Sequence, residues 1–215
     1  FEAMTAAELK QINEALHEGI SNICETKGLN CADPSKDVPT PPPAKVTNFV
    51  ASELFGNGGG GNFFGQDPWK TFGQAEGKYT SDIYVSRVDL FYTEKDSKYH
   101  VMEGVQHFFK DSQGREQAGK AGATTPGSDR CGIEIPEGVK VGSIDIRSDT
   151  WIRYIEIRDD KGKKLGGCGN QNAGTLHTVN FAQDEIFQGF AGYGGKYIDR
   201  IQVQKAQITV EPLVK

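Results

Sequence analysis

From residue 54 onward, Val, Ile, Tyr and Phe come in short alternating runs separated by Gly, Asp, Asn and Lys. A period of two between turn-forming residues predicts many short, half-buried strands, and so an all-β domain. The start of the chain follows a different rule. Leu9, Ile12, Leu16, Ile20 and Ile23 recur at threes and fours, which lays one apolar stripe along a helix over residues 5–26. Thr5 and Glu8 form a capping box for its first turn, and Lys27-Gly28 is a stop signal. Pro34 and the run Pro39-Thr40-Pro41-Pro42-Pro43 then favour a stiff, extended spacer. The pattern divides the chain into a helix and loop at 1–32, a Pro-rich linker at 33–53 and a β domain at 54–215. The helix must bury its stripe somewhere. Docking onto the β domain is the plain expectation, and a partner-binding helix is the sharper one.

The strands repeat. Tyr84-Val85-Ser86-Arg87-Val88-Asp89-Leu90, Trp151-Ile152-Arg153-Tyr154-Ile155-Glu156-Ile157 and Tyr197-Ile198-Asp199-Arg200-Ile201-Gln202-Val203 share one pattern. Each runs aromatic, β-branched, two free positions, β-branched, one free position, aliphatic. Three copies suggest three similar sheets about a pseudo-threefold axis. The free position that holds Asp199 holds Ser86 and Arg153 in the other copies, so the repeat itself does not demand an acid there.

Composition narrows the function. Glycine occurs 27 times, more than helix interiors tolerate but suited to turn-rich β folds. Net charge is −5, and residues 1–53 hold four Lys against eight Asp and Glu, which leaves the β domain nearly neutral. That disfavours nucleic acid as a partner. No apolar run is long enough to insert into a membrane. Cys24 and Cys31 form a close pair, Cys131 and Cys168 a distant one. Two disulfides fit this split and point to a secreted or extracellular setting. Free buried cysteines are an alternative, and a four-cysteine zinc site is disfavoured because neither pair has C-x2-C spacing. His17, His100, His107 and His177 show no metal-ligand spacing. No nucleophile–base set or paired carboxylates are recognisable either, so no metal, cofactor or catalysis is expected.

Two glycine-rich stretches carry the chemistry. Phe55-Gly56-Asn57-Gly58-Gly59-Gly60-Gly61-Asn62-Phe63-Phe64 lets a ligand approach peptide N–H groups between anchoring aromatics. No Gly-Lys-Ser/Thr follows, so it is not a phosphate-binding loop. In Gly189-Phe190-Ala191-Gly192-Tyr193-Gly194-Gly195-Lys196-Tyr197-Ile198-Asp199, a glycine turn leads into the third repeat copy. A carboxylate at Asp199, beside open N–H groups, can accept two sugar hydroxyls. Capping the turn is its plainer role. Tyr193 and Tyr197 offer faces on which a sugar can stack, with Tyr197 partly used for packing.

In order and spacing, these stretches resemble the jacalin-related lectins over most of residues 54–210. Gly60-Gly61-Asn62 before aromatics resembles that family's Gly-Gly loop. Gly195-Lys196-Tyr197-Ile198-Asp199 fits its Gly-x-x-x-Asp sugar loop, and Gln188-Gly189-Phe190-Ala191-Gly192 resembles the strand and turn before it. The resemblance implies a β-prism I fold, three four-stranded antiparallel Greek-key sheets about a pseudo-threefold axis, here with an N-terminal α-helical extension. It also implies a non-catalytic carbohydrate-binding lectin with a monosaccharide pocket at one end of the prism. Carried over, Asp199 accepts from two adjacent sugar hydroxyls, and the backbone N–H groups of Lys196 and Tyr197, after Gly195, donate. Gly60 and Gly61 complete the pocket, and Asp149 lines it from a third loop.

The chain departs from the family in three ways. Its glycine loop is one residue longer, the following Asp-Asp is missing, and Lys196 replaces aromatic or acidic residues. Galactose-preferring members expose a cleaved N-terminal glycine. Here the loop is internal, so mannose or glucose glycans and glycoproteins are the expected partners, with a homo-oligomer as one possible state. The alternative function is a β-prism for protein–protein interaction, with the N-terminal helix as its partner-binding element.

Overall fold

The computed structural model describes residues 11, 12, 14–16, 18, 44–65, 67–75, 78–93, 101–119, 122 and 129–209. The chain forms two compact units, residues 1–42 and 43–215. In the first, residues 11, 12, 14–16 and 18 are helical, and Ile12 and Leu16 are exposed. The remainder of the expected helix, its stop signal, and Cys24 with Cys31 lie outside the described residues.

The second unit consists of β1 (Lys45–Ala51), β2 (Asn62–Phe64), α1 (Pro68–Thr71), β3 (Tyr84–Thr93), β4 (Val101–Lys110), β5 (Glu116–Ala118), β6 (Asp129–Glu134), β7 (Val141–Ser148), β8 (Ile152–Asp159), β9 (Lys164–Gly169), β10 (Thr175–Asn180), β11 (Glu185–Gly194) and β12 (Ile198–Thr209). The strands make three four-stranded antiparallel sheets, in the orders β1-β12-β11-β2, β5-β4-β3-β6 and β10-β7-β8-β9. Each sheet is a central hairpin with one strand on either side. In the second and third sheets, three strands meander and a fourth returns beside the first, which is a Greek key. The first sheet has the same arrangement with the chain ends inside it: β11 and β12 come last in the chain, β1 and β2 first.

Two elements differ from the sequence reading. Residues 45–51, assigned to the linker, form β1 and pair with β12 from Lys45↔Thr209 to Ala51↔Gln204. Short-range pattern could not reveal a strand whose partner lies at the opposite end of the chain. A single helical turn, α1, also sits inside the β domain. Asp67 caps it by accepting the N–H groups of Trp69 and Lys70, and Pro68 opens it. One turn is too short to show a period. It seats the buried Trp69, whose indole N–H donates to the Thr80 carbonyl at 2.8 Å.

The inward faces of the three hairpins share one core. Val88, Leu90, Met102, Val105 and Phe109 meet Ile144, Ile146, Ile155 and Ile157 from the third sheet, and Phe190, Ile198, Ile201 and Val203 from the first. Cys131 on β6 and Cys168 on β9 are joined by a disulfide, with Cα atoms 6.2 Å apart across a separation of 37 residues. It ties edge strands of the second and third sheets, and a closed loop of this size stabilises by about 2–4 kcal/mol.

A β-bulge places two residues opposite one and re-aims a side chain. Each central hairpin carries two. On the first strand of each hairpin the skipped residues are Ser86, Gly142 and Gln188; on the second they are Glu103, Arg153 and Asp199. The carbonyls confirm the grouping. Ser86 and Gly142 accept from Ile135 and Phe181, while Arg153 and Asp199 accept from Asn170 and Gly58. This corrects the repeat alignment. The copies at Trp151 and Tyr197 lead into equivalent strands, β8 and β12, but the copy at Tyr84 opens β3, the counterpart of β7 and β11. The partner of Asp199 in the second sheet is Glu103, not Ser86. The true counterpart strand begins Val101-Met102-Glu103, without the aromatic residue that guided the match.

Candidate functional site

Two of the three hairpin loops are fully described, and they have the same backbone. Asp149-Thr150-Trp151 joins β7 to β8, and Gly195-Lys196-Tyr197 joins β11 to β12. In each, the first residue's N–H donates to the third residue's carbonyl at 3.0 Å, Asp149 to Trp151 and Gly195 to Tyr197. The bulge residue, Arg153 or Asp199, follows two positions later.

Their side chains use this frame in opposite ways. The Asp149 carboxylate accepts the Trp151 N–H at 3.1 Å and the Arg153 Nε–H at 2.9 Å. Burial raises the pKa of Asp149, but the bond to Arg153, its charge and the backbone N–H groups outweigh that and hold it below the usual value. The loop is filled from within. In the first sheet, Gly195 has no side chain to turn inward. The N–H groups of Lys196 and Tyr197 donate to no described residue, and the Asp199 carboxylate makes no hydrogen bond or ion pair among the described residues. Asp199 is half-buried, whereas Arg153 and Glu103 are buried. Among the described residues, an unpaired acceptor thus stands two and three residues from two open donors, the N–H groups of Tyr197 and Lys196.

The glycine loop packs against this acceptor. Phe55 and Ile201 exchange backbone bonds at 2.8 and 2.9 Å, which anchors the loop to β12. A Cβ on the buried Gly58 would lie 2.5 Å from Asp199 Oδ1, so only glycine lets the backbone rest against the carboxylate. Gly61, at φ +93°, leaves no room either: its Cβ would fall 2.3 Å from the Gly194 carbonyl carbon. Gly60 stands further off, its Cβ position 3.8 Å from Asp199 Oδ2, and Gly59 faces open space. The third loop adjoins both. The Asn57 N–H donates to the Thr150 carbonyl at 3.4 Å, and the Trp151 and Tyr197 rings lie 5.6 Å apart.

Of the residues predicted from sequence, Asp199, Gly195, Lys196, Tyr197, Gly60 and Gly61 therefore gather at one end of the first sheet. Lys196 is exposed, with Nζ 5.3 Å from the Tyr197 ring centroid. Asp149 is close by but committed to Arg153. Tyr193 lies within β11, as do Gly189, Gly192 and Gly194, so that stretch is strand and not turn. The Tyr193 ring is held by Phe63 at 5.4 Å and by the Arg200 guanidinium at 4.6 Å. Sequence reasoning missed Gly58 and the role of Arg153. The signal for the latter was present, an Asp and an Arg four residues apart in a loop otherwise matched to the glycine one. A cleft of about 500 Å³ between β1, α1 and β12 shares no residue with these loops. Its walls bring together no open carboxylate and loop N–H groups, so the loop end is the better candidate. Among the described residues, no three His, Cys, Asp or Glu side chains group as a metal site would require.

Three Greek-key sheets about a pseudo-threefold axis, with a glycine loop and an aspartate loop at one end, define the β-prism of the jacalin-like lectin fold. Solved structures share it. Calystegia sepium agglutinin matches with a TM-score of 0.56 at 16% identity, over 75% of this chain and 99% of that one. A mannose-binding lectin from Champedak matches at 0.53 and 18% identity, over 76% and 99%. A mannose-binding jacalin-related lectin from Ananas comosus matches at 0.54 and 14% identity, over 74% and 98%. No protein-family model matches the sequence, and no curated protein matches it. At these identities the likeness establishes the fold.

Proposed function

We propose that this chain is a non-catalytic carbohydrate-binding lectin that takes a mannose- or glucose-type residue between its glycine loop and Asp199. One observation carries the reading. Asp199 and the N–H groups of Lys196 and Tyr197 have no partner among the described residues, in a loop whose structural twin is closed by its own side chains. Two adjacent equatorial or axial hydroxyls can donate to the two carboxylate oxygens, while the N–H groups donate to ring and exocyclic oxygens. The non-catalytic reading is supported by the lectin neighbours of the fold. The internal glycine loop and the mannose-binding structural relatives support mannose over galactose. The Cys131–Cys168 disulfide is in keeping with a secreted or extracellular setting.

So few contacts support a dissociation constant of about 1 mM for a monosaccharide, or roughly −4 kcal/mol. The test is titration calorimetry with methyl α-mannoside, together with a glycan array, on the intact chain and on Asp199→Ala. Binding by the intact chain and none by a folded Asp199→Ala is the expected result. Equal binding by both would remove the site from this loop.

A further inference from the structure

The bulge on β11 carries a side chain that the sugar loops do not use. In each sheet the first strand of the central hairpin skips one residue: Ser86, Gly142 and Gln188. The Ser86 hydroxyl is taken within its own sheet, donating to the Phe108 carbonyl at 3.1 Å. Gly142 has no side chain, and a Cβ there would fall 2.5 Å from the Asp159 carbonyl oxygen. Of the three, Gln188 alone brings a long polar group to this position. It is 2% exposed, and neither Oε1 nor Nε2 has a hydrogen-bond partner among the described residues. Oε1 of Gln204 on β12 is buried and unmatched in the same way. A buried amide left unmatched costs stability, and an apolar group of the same shape in its place is neutral or favourable.

Both glutamines line the cleft of about 500 Å³ between β1, α1 and β12, which has the size of a small-molecule site. Gln204 lies five residues along β12 from Asp199, roughly 17 Å, so the cleft is separate from the aspartate loop. Its wall is aromatic. Trp69 and Tyr79 stack at 4.9 Å and 18°, and Phe49 stands edge-on to them at 5.2 and 5.5 Å while remaining 57% exposed. The polar tips of the stacked pair are taken. The Trp69 indole N–H donates to the Thr80 carbonyl, and the Tyr79 hydroxyl to Asp67 Oδ2. Charge around the cleft is balanced as well. Lys70 pairs with Asp67 at 3.5 Å, and Lys205 with Glu185 at 2.8 Å. A neutral guest suits this setting better than a phosphate or a carboxylate. No hydrogen bond among the described residues holds the Gln188 amide, so rotation about its side-chain torsions can turn it to a guest.

The unmatched groups specify that guest. Two carbonyl acceptors call for two N–H donors, and the amide N–H for an acceptor beside them. An amino group next to a ring nitrogen supplies all three, and glutamine pairs with such an edge of adenine through two bonds. The flat ring that bears them can stack on Phe49. We propose that this cleft is a second ligand site, for a neutral amino-substituted heteroaromatic ring of the adenine type.

The test is titration calorimetry of adenine, and of purine without the amino group, on the intact chain, Gln188→Leu, Phe49→Ala and Asp199→Ala. Adenine is expected to bind the intact chain with a dissociation constant of about 1 mM or below, and purine at least about tenfold more weakly. Gln188→Leu should weaken adenine about tenfold while its thermal midpoint holds or rises, which separates loss of the amide from loss of the fold. Should Gln188→Leu disturb the sheet, Phe49→Ala changes an exposed ring and should weaken adenine at least about fivefold. Asp199→Ala should bind adenine as the parent does. No adenine binding by the intact chain, equal binding of adenine and purine, or undiminished affinity in either folded cleft variant would overturn the proposal. So would a loss in Asp199→Ala, which would place the ring at the sugar loops. The lectin reading is judged on sugars and stands or falls separately.

Discussion

The hairpin loop of the third sheet and that of the first are one backbone put to two ends. Both have three residues, the same closing hydrogen bond and a bulge two residues beyond. In the third sheet an Asp opens the loop and an Arg occupies the bulge, and the two bind each other. In the first sheet a Gly opens the loop and an Asp occupies the bulge, and no described residue binds its carboxylate. A buried or half-buried polar group left unmatched costs stability. The fold meets that cost with an internal ion pair in one loop and leaves it standing in the other. A scaffold repeated three times can therefore keep the bulge for its geometry everywhere and turn it into a site only where the local pair is withheld. What distinguishes the two ends is side chains, not the path of the chain.

The largest test of this contrast transplants it. Gly195→Asp with Asp199→Arg gives the first-sheet loop the residues of the third. Each charge-assisted bond lost is worth about 1.5–3 kcal/mol, so mannoside affinity should fall more than about 100-fold. The thermal midpoint should stay near that of the parent, because the new carboxylate and guanidinium pair with each other as Asp149 and Arg153 do. Calorimetric titration beside a thermal melt reads both. Retained binding would mean that the open carboxylate is not what makes the site.

Much of this was legible in the residues. Alternation and glycine content pointed to the strands, and the spacing of Gly195 to Asp199 marked the aspartate loop. What escaped was set by distance in sequence. β1 looked like linker because Val46-Thr47-Asn48-Phe49-Val50 follows a proline run, and its partner strand ends at Thr209. The repeat was aligned on its aromatic lead, yet the equivalent strand of the second sheet begins with Val101 and places Glu103 at the bulge. Register and bulge position come from cross-strand pairing, which no single strand's pattern records. Asp149 was counted toward the ligand because it stands in the right loop. Only the position of Arg153 shows that its carboxylate already carries an ion pair.

The glycine loop sharpens the comparison at smaller scale. Gly58 lies against the Asp199 carboxylate, whereas Gly59, one residue on, meets nothing within 4 Å. Gly58→Ala forces a methyl to 2.5 Å from Oδ1, so the carboxylate or the loop must shift. Because a displacement of even 1 Å misaligns both hydroxyl contacts, a loss of about tenfold in mannoside affinity is expected. Gly59→Ala should bind as the parent does. Titration of the two variants side by side separates contact with the acceptor from general stiffening of a glycine-rich loop. Equal losses would favour stiffening.

The smallest effect belongs to Asp149. If its carboxylate serves Arg153 and not a sugar, Asp149→Asn should leave mannoside affinity within about twofold at neutral pH, while stability falls by about 1 kcal/mol as the buried guanidinium loses its charged partner. The pH dependence gives an independent reading. Asp149 titrates below its ordinary value of 3.8 in the folded chain, through burial opposed and outweighed by Arg153 and backbone N–H groups. A depressed carboxylate contributes stability that is present above the unfolded value and is lost as pH falls through the folded one. The gap in denaturation midpoint between parent and Asp149→Asn should therefore be constant near neutrality and close below about pH 4. A fall in sugar affinity that tracked the loss of this charge would instead place Asp149 on the ligand, and the third-sheet loop would have to be counted as part of the site it flanks.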